Sequence, residues 1–269
     1  MKKITLLFLC LFIFIGCTPV PESELEITDT KVTVQDTKAS PDPDTTFISD
    51  IINEGQPVIT RAITEETDQY TINVQFPKFE NHAALNELIE NNAISDVDLF
   101  KKQVAELAID EDIEEIIQDF NRSYFETYYS IIRNDEKVIS ILFENQDYSA
   151  GAAHPMTYSA TVNWDVQNEK KIEWVDVIPG DQDIPSILSE MVKPKIYQRL
   201  ETEETDEWIE EGAGPDPLNF LSYTIGPDEI VIYFDPYQVA AYAIGPVRIN
   251  LSFEELGVLL NPELIPAEN

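Results

Sequence analysis

The chain has 269 residues, with 17 basic against 51 acidic side chains and a formal charge of −34. So acidic a surface repels phosphate, which excludes nucleic acid as a partner. Two His and two Cys exclude the common zinc and iron–sulfur layouts, and no metal or cofactor is expected. A content of 43% apolar and 10% aromatic residues is enough for a sizeable core. The acidity has two readings: solubility, or steering of a cationic partner.

The N-terminus starts with the basic Met1-Lys2-Lys3, and Ile4 to Ile15 is almost wholly apolar. This is the pattern of a secretory signal, too short for a stable membrane-spanning helix. The segment ends Phe14-Ile15-Gly16-Cys17, which resembles a bacterial lipobox with Phe14 where Leu is usual. The resemblance implies a signal peptide over 1–16, cleavage before Cys17 and lipidation of the Cys17 thiol. Cys10 would leave with the signal, so no thiol would remain for a disulfide. The expected location is the bacterial cell envelope, outside the cytoplasm and anchored by lipid. Thr18 after Cys17 is compatible with outer-membrane sorting in a cell that has two membranes.

Residues 17–50 are rich in Pro, Ser, Thr, Asp and Glu without sustained periodicity, and read as a disordered, flexible tether. Val58–Ile63 and Tyr70–Phe76 have strand composition, the second ended by Pro77. Asn81 is placed to cap a helix carrying Leu85, Leu88 and Ile89. A further helix is expected over Asp96–Phe120, its acidic run a solvated face rather than a metal site. Tyr124–Arg133 and Lys137–Asp147 read as strands joined at Asn134-Asp135-Glu136. From Thr157 to Val166 apolar and polar residues alternate, which predicts one face on a core and one in water. A helix over Pro185–Glu203 should break or kink at Pro194. Glu201–Pro217 reads as an exposed loop. Phe220–Ile225 and Glu229–Asp235 form a hairpin around Gly226-Pro227-Asp228, followed by a strand over Val247–Leu251 and a helix over Phe253–Leu260. Strands and helices are segregated, so the expected class is α+β: an antiparallel sheet with helices packed on it, preceded by the tether.

No nucleophile elbow, P-loop or dinucleotide fingerprint is present. His154 follows a run of small residues, Gly151-Ala152-Ala153, between two strands. Small residues allow close backbone approach, and His donates, accepts or shuttles protons. His82, near a helix start, reads as a surface residue. The second dense segment is Phe234 to Pro246, which contains Tyr237, Tyr242 and Gly245. Tyrosines combine an apolar face with a polar tip and serve binding surfaces as well as cores.

Gly151-Ala152-Ala153-His154-Pro155, Trp174-Val175-Asp176-Val177 and the run Phe234–Pro246 resemble a bacterial extracytoplasmic domain family. It is the family of the anti-sigma factor RsiV and of the peptidoglycan deacetylase PdaC, where it sits beside the catalytic domain. Phe76-Pro77 and Ala84-Leu85-Asn86-Glu87-Leu88-Ile89 resemble its N-terminal half. Ala152 stands where many members carry a second Gly. The likeness spans about residues 58–257, with an N-terminal half at 51–163 and a C-terminal half at 164–269. It implies helices on an antiparallel sheet, and in RsiV the domain senses lysozyme by binding it. Nothing here resembles the sigma-binding segment of RsiV or a polysaccharide deacetylase domain.

The expected function is therefore that of a non-catalytic, membrane-anchored binding lipoprotein. Its expected partner is a cationic cell-wall hydrolase such as lysozyme. Candidate partner-binding residues are Gly151, His154, Tyr237, Tyr242 and Gly245. A peptidoglycan or wall-glycan binding module is the alternative. A carboxylate-dependent wall hydrolase assisted by His154 is a third reading, and it would need two carboxyls facing across a cleft.

Overall fold

The computed structural model describes residues 27–30, 57–107, 122–202 and 206–266. The expected signal peptide, Cys17 and most of the stretch read as a tether lie outside the described residues, as does 108–121. In chain order the strands are β1 (Ile27–Thr30), β2 (Val58–Glu66), β3 (Tyr70–Phe79), β4 (Ser123–Asn134), β5 (Val138–Tyr148), β6 (Met156–Asp165), β7 (Lys170–Lys171), β8 (Tyr223–Ile225), β9 (Glu229–Phe234) and β10 (Val247–Ser252). The helices are α1 (Ala83–Leu107), α2 (Trp174–Val177), α3 (Ile184–Leu200), α4 (Glu207–Gly212) and α5 (Phe253–Leu256).

The α+β class holds. Strands β1 to β7 lie side by side in one seven-stranded sheet, and β10-β9-β8 form a second. All pairs are antiparallel except β3–β4, which α1 joins as a crossover. An antiparallel hairpin needs only a short turn, whereas a parallel pair needs a long connection, and α1 supplies it. Within the stretch expected to be a tether, β1 pairs with β2 from Ile27↔Ile63 to Thr30↔Thr60.

The elements stack in layers. Helix α1 buries Leu85, Ile89, Ala93, Val97, Phe100 and Val104, spaced by three or four residues along one stripe. These pack on Val74, Phe76, Phe125 and Ile141 of the large sheet, with Phe100 stacked on Phe125 at 5.6 Å. Burying each such side chain stabilises the fold by about 1.5–3 kcal/mol. Helix α3 buries Leu188, Val192 and Ile196 against Ile225, Ile232 and Leu251 of the small sheet. Between the two sheets Leu142 meets Val231 and Tyr233.

Several expectations need correction. Pro77 does not end β3, which continues to Phe79 opposite Val58. The β3–β4 ladder stops at Val74, so at Pro77 one side of the strand needs no donor. Asn81 is not the helix cap: it takes a left-handed φ of 69°, and α1 follows as one helix instead of two. The uninterrupted apolar stripe makes the break unnecessary. Pro194 lies inside α3 without ending it. Its missing N–H takes the usual helical donor from the Glu190 carbonyl, on a residue that is exposed. Phe220 belongs to a short 3-10 turn rather than a strand. The expected loop over 201–217 contains α4, capped by Asp206, whose carboxylate accepts the Trp208 N–H at 3.0 Å.

The expected water face of β6 is covered. Its polar residues hold the unpaired edge of β8: the Tyr223 N–H donates to Thr161 Oγ1 at 3.2 Å, and Asn163 Nδ2 donates to the Tyr223 carbonyl at 2.7 Å. Ser140 Oγ on β5 accepts the Ile225 N–H at 3.0 Å. Alternation predicts two different faces, but not that the polar face satisfies another sheet.

Candidate functional site

The loop between β5 and β6 is built before it is aimed. The Ala150 N–H donates to Ser123 Oγ at 3.0 Å, and the Ala152 N–H closes a turn onto the Ser149 carbonyl at 2.9 Å. Gly151 takes φ 85°, a conformation costly for any residue with a Cβ. The chain then presents His154 next to Pro155. His154 Nδ1 lies 3.0 Å from the Pro155 carbonyl, which can only accept, so Nδ1 carries the proton. In the neutral ring Nε2 is then an acceptor, facing the Tyr237 hydroxyl at 3.2 Å.

Tyr237 and Tyr242 reach this loop from the segment after β9. Gly245 ends the turn with φ 76°, its N–H donating to the Tyr242 carbonyl at 2.9 Å. The Tyr242 hydroxyl donates to the Pro155 carbonyl at 2.9 Å, and its ring stacks on His154 at 3.7 Å and 21°. Tyr237 and Tyr242 lie 5.5 Å apart at 31°. The five expected binding residues therefore form one place: three rings, and two glycines that set the turns holding them. His154 and Tyr242 are half-buried, while Tyr237 is 48% exposed. Tyr237 also holds a left-handed φ of 72°, a strain of about 1–2 kcal/mol for a residue with a Cβ. A strained, exposed aromatic in a well-anchored loop makes Tyr237 a candidate for a functional role.

The rings continue beyond the expected set. Trp208 on α4 lies 6.3 Å from Tyr237 and is 42% exposed. A separate pair, Tyr124 and Tyr148, stacks at 5.4 Å. Burial and then the charges of Glu126, Tyr148, Tyr242 and Asp147 push the Tyr124 phenol up. Sequence reading missed Trp208 because its segment looked like a loop. The signal that would have found it is the cap pattern of Asp206 before Trp208 and Ile209.

Hydrogen bonds fix the Tyr237 loop to its surroundings. Asp235 Oδ1 accepts the Ser159 N–H at 2.8 Å, and Gln238 Nε2 donates to the carbonyls of Gly212 and Asn219 at 3.0 and 3.1 Å. Gly212 permits this approach, since a Cβ there would stand 1.8 Å from the Gln238 carbonyl oxygen. Burial raises the Asp235 carboxyl to about 6 against the lowering effect of its Ser159 hydrogen bonds. Burial alone raises Asp147, before the His154 loop, to about 6. A cleft of about 320 Å³ runs beside the rings, lined among others by Tyr128, Glu144, Gln146, Thr157, Asp235 and Arg248. Among the described residues no group of three or more His, Cys, Asp or Glu is arranged to hold a metal ion. His82 is partly exposed, its ring edge-on to Phe79 at 6.3 Å.

Two family profiles match separate stretches. One described as a protein of unknown function, DUF3298, matches residues 176–254, and one described as deacetylase PdaC matches residues 63–157. The peptidoglycan-N-acetylmuramic acid deacetylase PdaC of Bacillus subtilis is 25% identical over 194 residues, 72% of this chain and 37% of its own length. The immunogenic protein MPT64 of Mycobacterium tuberculosis is 25% identical over 112 residues, 41% of this chain and 46% of its own length. The chain thus spans less than half the length of these relatives. A DUF3298 family protein from Pseudomonas aeruginosa PAO1 has the same fold at a TM-score of 0.56 and 14% identity, covering 80% of this chain and 99% of that one. A member of that family from Bacteroides fragilis matches at a TM-score of 0.56 and 17% identity, covering 77% and 94%.

Proposed function

We propose that this chain is a lipid-anchored binding protein of the cell envelope that recognises a cationic wall hydrolase of lysozyme type without catalysing a reaction. The profile matches and the PdaC likeness support an extracytoplasmic, cell-wall-related domain of the PdaC/DUF3298 type. Among the described residues no helix is long and apolar enough to cross a membrane. The anchor is the lipid on Cys17 that the lipobox resemblance implies.

One observation carries the reading of the partner. His154 and Tyr237, 83 residues apart, meet with Tyr242 in a partly exposed ring stack on a chain of charge −34. Aromatic clusters of this kind supply binding energy at low entropic cost, while surrounding negative charge selects and steers a basic partner. Calorimetric titration of the chain from Thr18 onward with lysozyme tests it, at two salt concentrations and against a second protein of similar positive charge. Saturable binding to lysozyme alone that survives physiological salt is expected, and Tyr237→Ala with Tyr242→Ala weakens it more than tenfold. Equal binding to both proteins that vanishes with salt overturns the reading, because long-range attraction alone is screened.

The cleft beside Asp235 favours a second reading, a wall-glycan site. A volume of about 320 Å³ with tyrosine, amide and carboxyl groups at its walls suits a sugar ring. Co-sedimentation with purified sacculi at moderate salt, lost on Tyr128→Ala, would support it. Failure to co-sediment removes it.

A further inference from the structure

A second cleft, of about 420 Å³, opens where Trp208 meets Tyr237. Its walls are Trp208 and Tyr237, with Glu207, Glu211, Asn219 and Gln238 around them. Glu207 and Glu211 are four residues apart, on one face of α4, and both are exposed. Neither has a cation partner among the described residues. The lysine that reaches this helix, Lys193, pairs at 2.8 Å with Glu210 instead.

The hydrogen-bond inventory of the cleft is one-sided. Its two side-chain amides spend their donors inward: Gln238 Nε2 on the carbonyls of Gly212 and Asn219, and Asn219 Nδ2 on those of Glu211 and Gly214 at 2.8 and 3.1 Å. What remains at the cleft is two exposed carboxylates, two aromatic rings and the indole N–H at the edge of Trp208. The complement of such a site is a flat group that only donates. A guanidinium has five N–H donors and no acceptor, matches carboxylates in a fork, and stacks on indole and phenol rings.

We propose that the cleft between Trp208 and Tyr237 is the anchor pocket for one arginine side chain of a partner protein, held on the indole face with its N–H groups on Glu207 and Glu211. This rests on the reading that the chain binds a cationic protein. It adds where the partner inserts and which side chain it inserts. Pocket and ring stack share Tyr237, so the arginine would end a contact that begins at His154.

Two experiments on the full chain test the pocket separately from the function. In the first, Nα-acetyl-arginine amide is titrated while tryptophan fluorescence is followed, with the uncharged citrulline analogue as control. Trp164 is buried and Trp174 stacks on Tyr223 at 4.1 Å, so the exposed Trp208 reports. A saturable response to the arginine compound, absent with citrulline and lost in Trp208→Phe, is expected. No difference between the two compounds overturns the pocket. In the second, lysozyme is titrated into Glu207→Gln/Glu211→Gln. The control is Glu136→Gln/Glu169→Gln, which removes the same charge at exposed turns beyond the opposite strand ends. The pocket variant should bind about tenfold more weakly than that control. If both double variants bind alike while Tyr237→Ala/Tyr242→Ala does not bind, the pocket falls and the function stands. If lysozyme is ignored by the wild type but arginine amide binds, the function falls and the pocket stands.

Discussion

The two sheets bury their cores differently. The large sheet is covered by one long helix whose apolar stripe runs through six buried positions, and its long strands pair through most of their length. The small sheet is covered by α3 and a series of short helices and 3-10 turns, each with few residues to bury. The surface shows the result. Among the described residues, eleven large hydrophobic side chains are exposed: Leu99, Tyr128 and Met156 precede residue 164, and the other eight follow it. Long regular elements hide most of their apolar surface, whereas short elements joined by tight turns leave more apolar side chains exposed, Trp208 and Tyr237 among them. The first region acts as scaffold, and the second presents the rings that the first region's β5–β6 loop completes through His154.

Arg133 is the strongest test of how the two regions hold together. It is fully buried at a register shift in β4, with Nε on Asp135 at 2.6 Å and Nη1 on the Leu264 and Gly226 carbonyls at 2.6 and 3.3 Å. Burial would raise the Asp135 carboxyl, but hydrogen bonds from Arg133 and from the Val138 and Lys137 N–H groups hold it below the usual range. Arg133→Ala leaves these acceptors buried without their cation and should lower the unfolding free energy by about 3–5 kcal/mol in urea denaturation. A loss under about 1 kcal/mol would mean that the regions hold together by apolar packing alone.

Gly212→Ala comes next. Its Cβ would collide with the Gln238 backbone, which must move with Tyr237. Overpacking of this kind costs about 1–3 kcal/mol in thermal unfolding. Lysozyme binding should weaken in the same variant. Normal binding at reduced stability would detach α4 from the site.

The buried carboxyls predict a smaller, pH-dependent effect. Asp96, Asp147 and Asp235 are each raised to about 6, chiefly by burial. A raised carboxyl favours the folded state in its protonated form. Their contribution is therefore fully present below the unfolded value near 4, and is lost as pH rises through about 6. Asp235→Asn should stabilise the protein by about 1–2 kcal/mol at pH 7.5 and flatten the dependence between pH 4 and about 6. An unchanged profile in denaturant titrations across that range would show that Asp235 stays solvated.

Tyr237→Gly should have the smallest effect on stability, within about 1 kcal/mol. Relief of the left-handed strain offsets the lost ring contacts and the freer unfolded chain. It should still abolish lysozyme binding. A large loss of stability would make Tyr237 a packing residue, and the contrast between scaffold and presenting surface would fail there.

Much of this was legible in the residues. Alternation over 157–166, the Asn134-Asp135-Glu136 turn and the Gly226-Pro227-Asp228 hairpin describe local geometry, which short-range chemistry fixes. The residues of the ring cluster were legible for a related reason. Gly151 and Gly245 mark positive φ, and His154, Tyr237 and Tyr242 are unusual side chains beside them. Trp208 was not, because a six-residue helix carries too little periodicity to stand out from a loop. Arg133 was not, because a cation at a strand end reads as solvated until the C-terminal carbonyls are brought to it.

The sequence by itself determined most of the strands, the acidic field and the rings at His154, Tyr237 and Tyr242, since propensity, turn chemistry and charge are properties of neighbours along the chain. Only the tertiary structure decided that β6's polar face would hold β8, that α4 would stand beside Tyr237, and that His154 would meet residues 83 and 88 positions away. Those contacts are set by which faces remain unsatisfied when two sheets stack, and no local pattern encodes that choice.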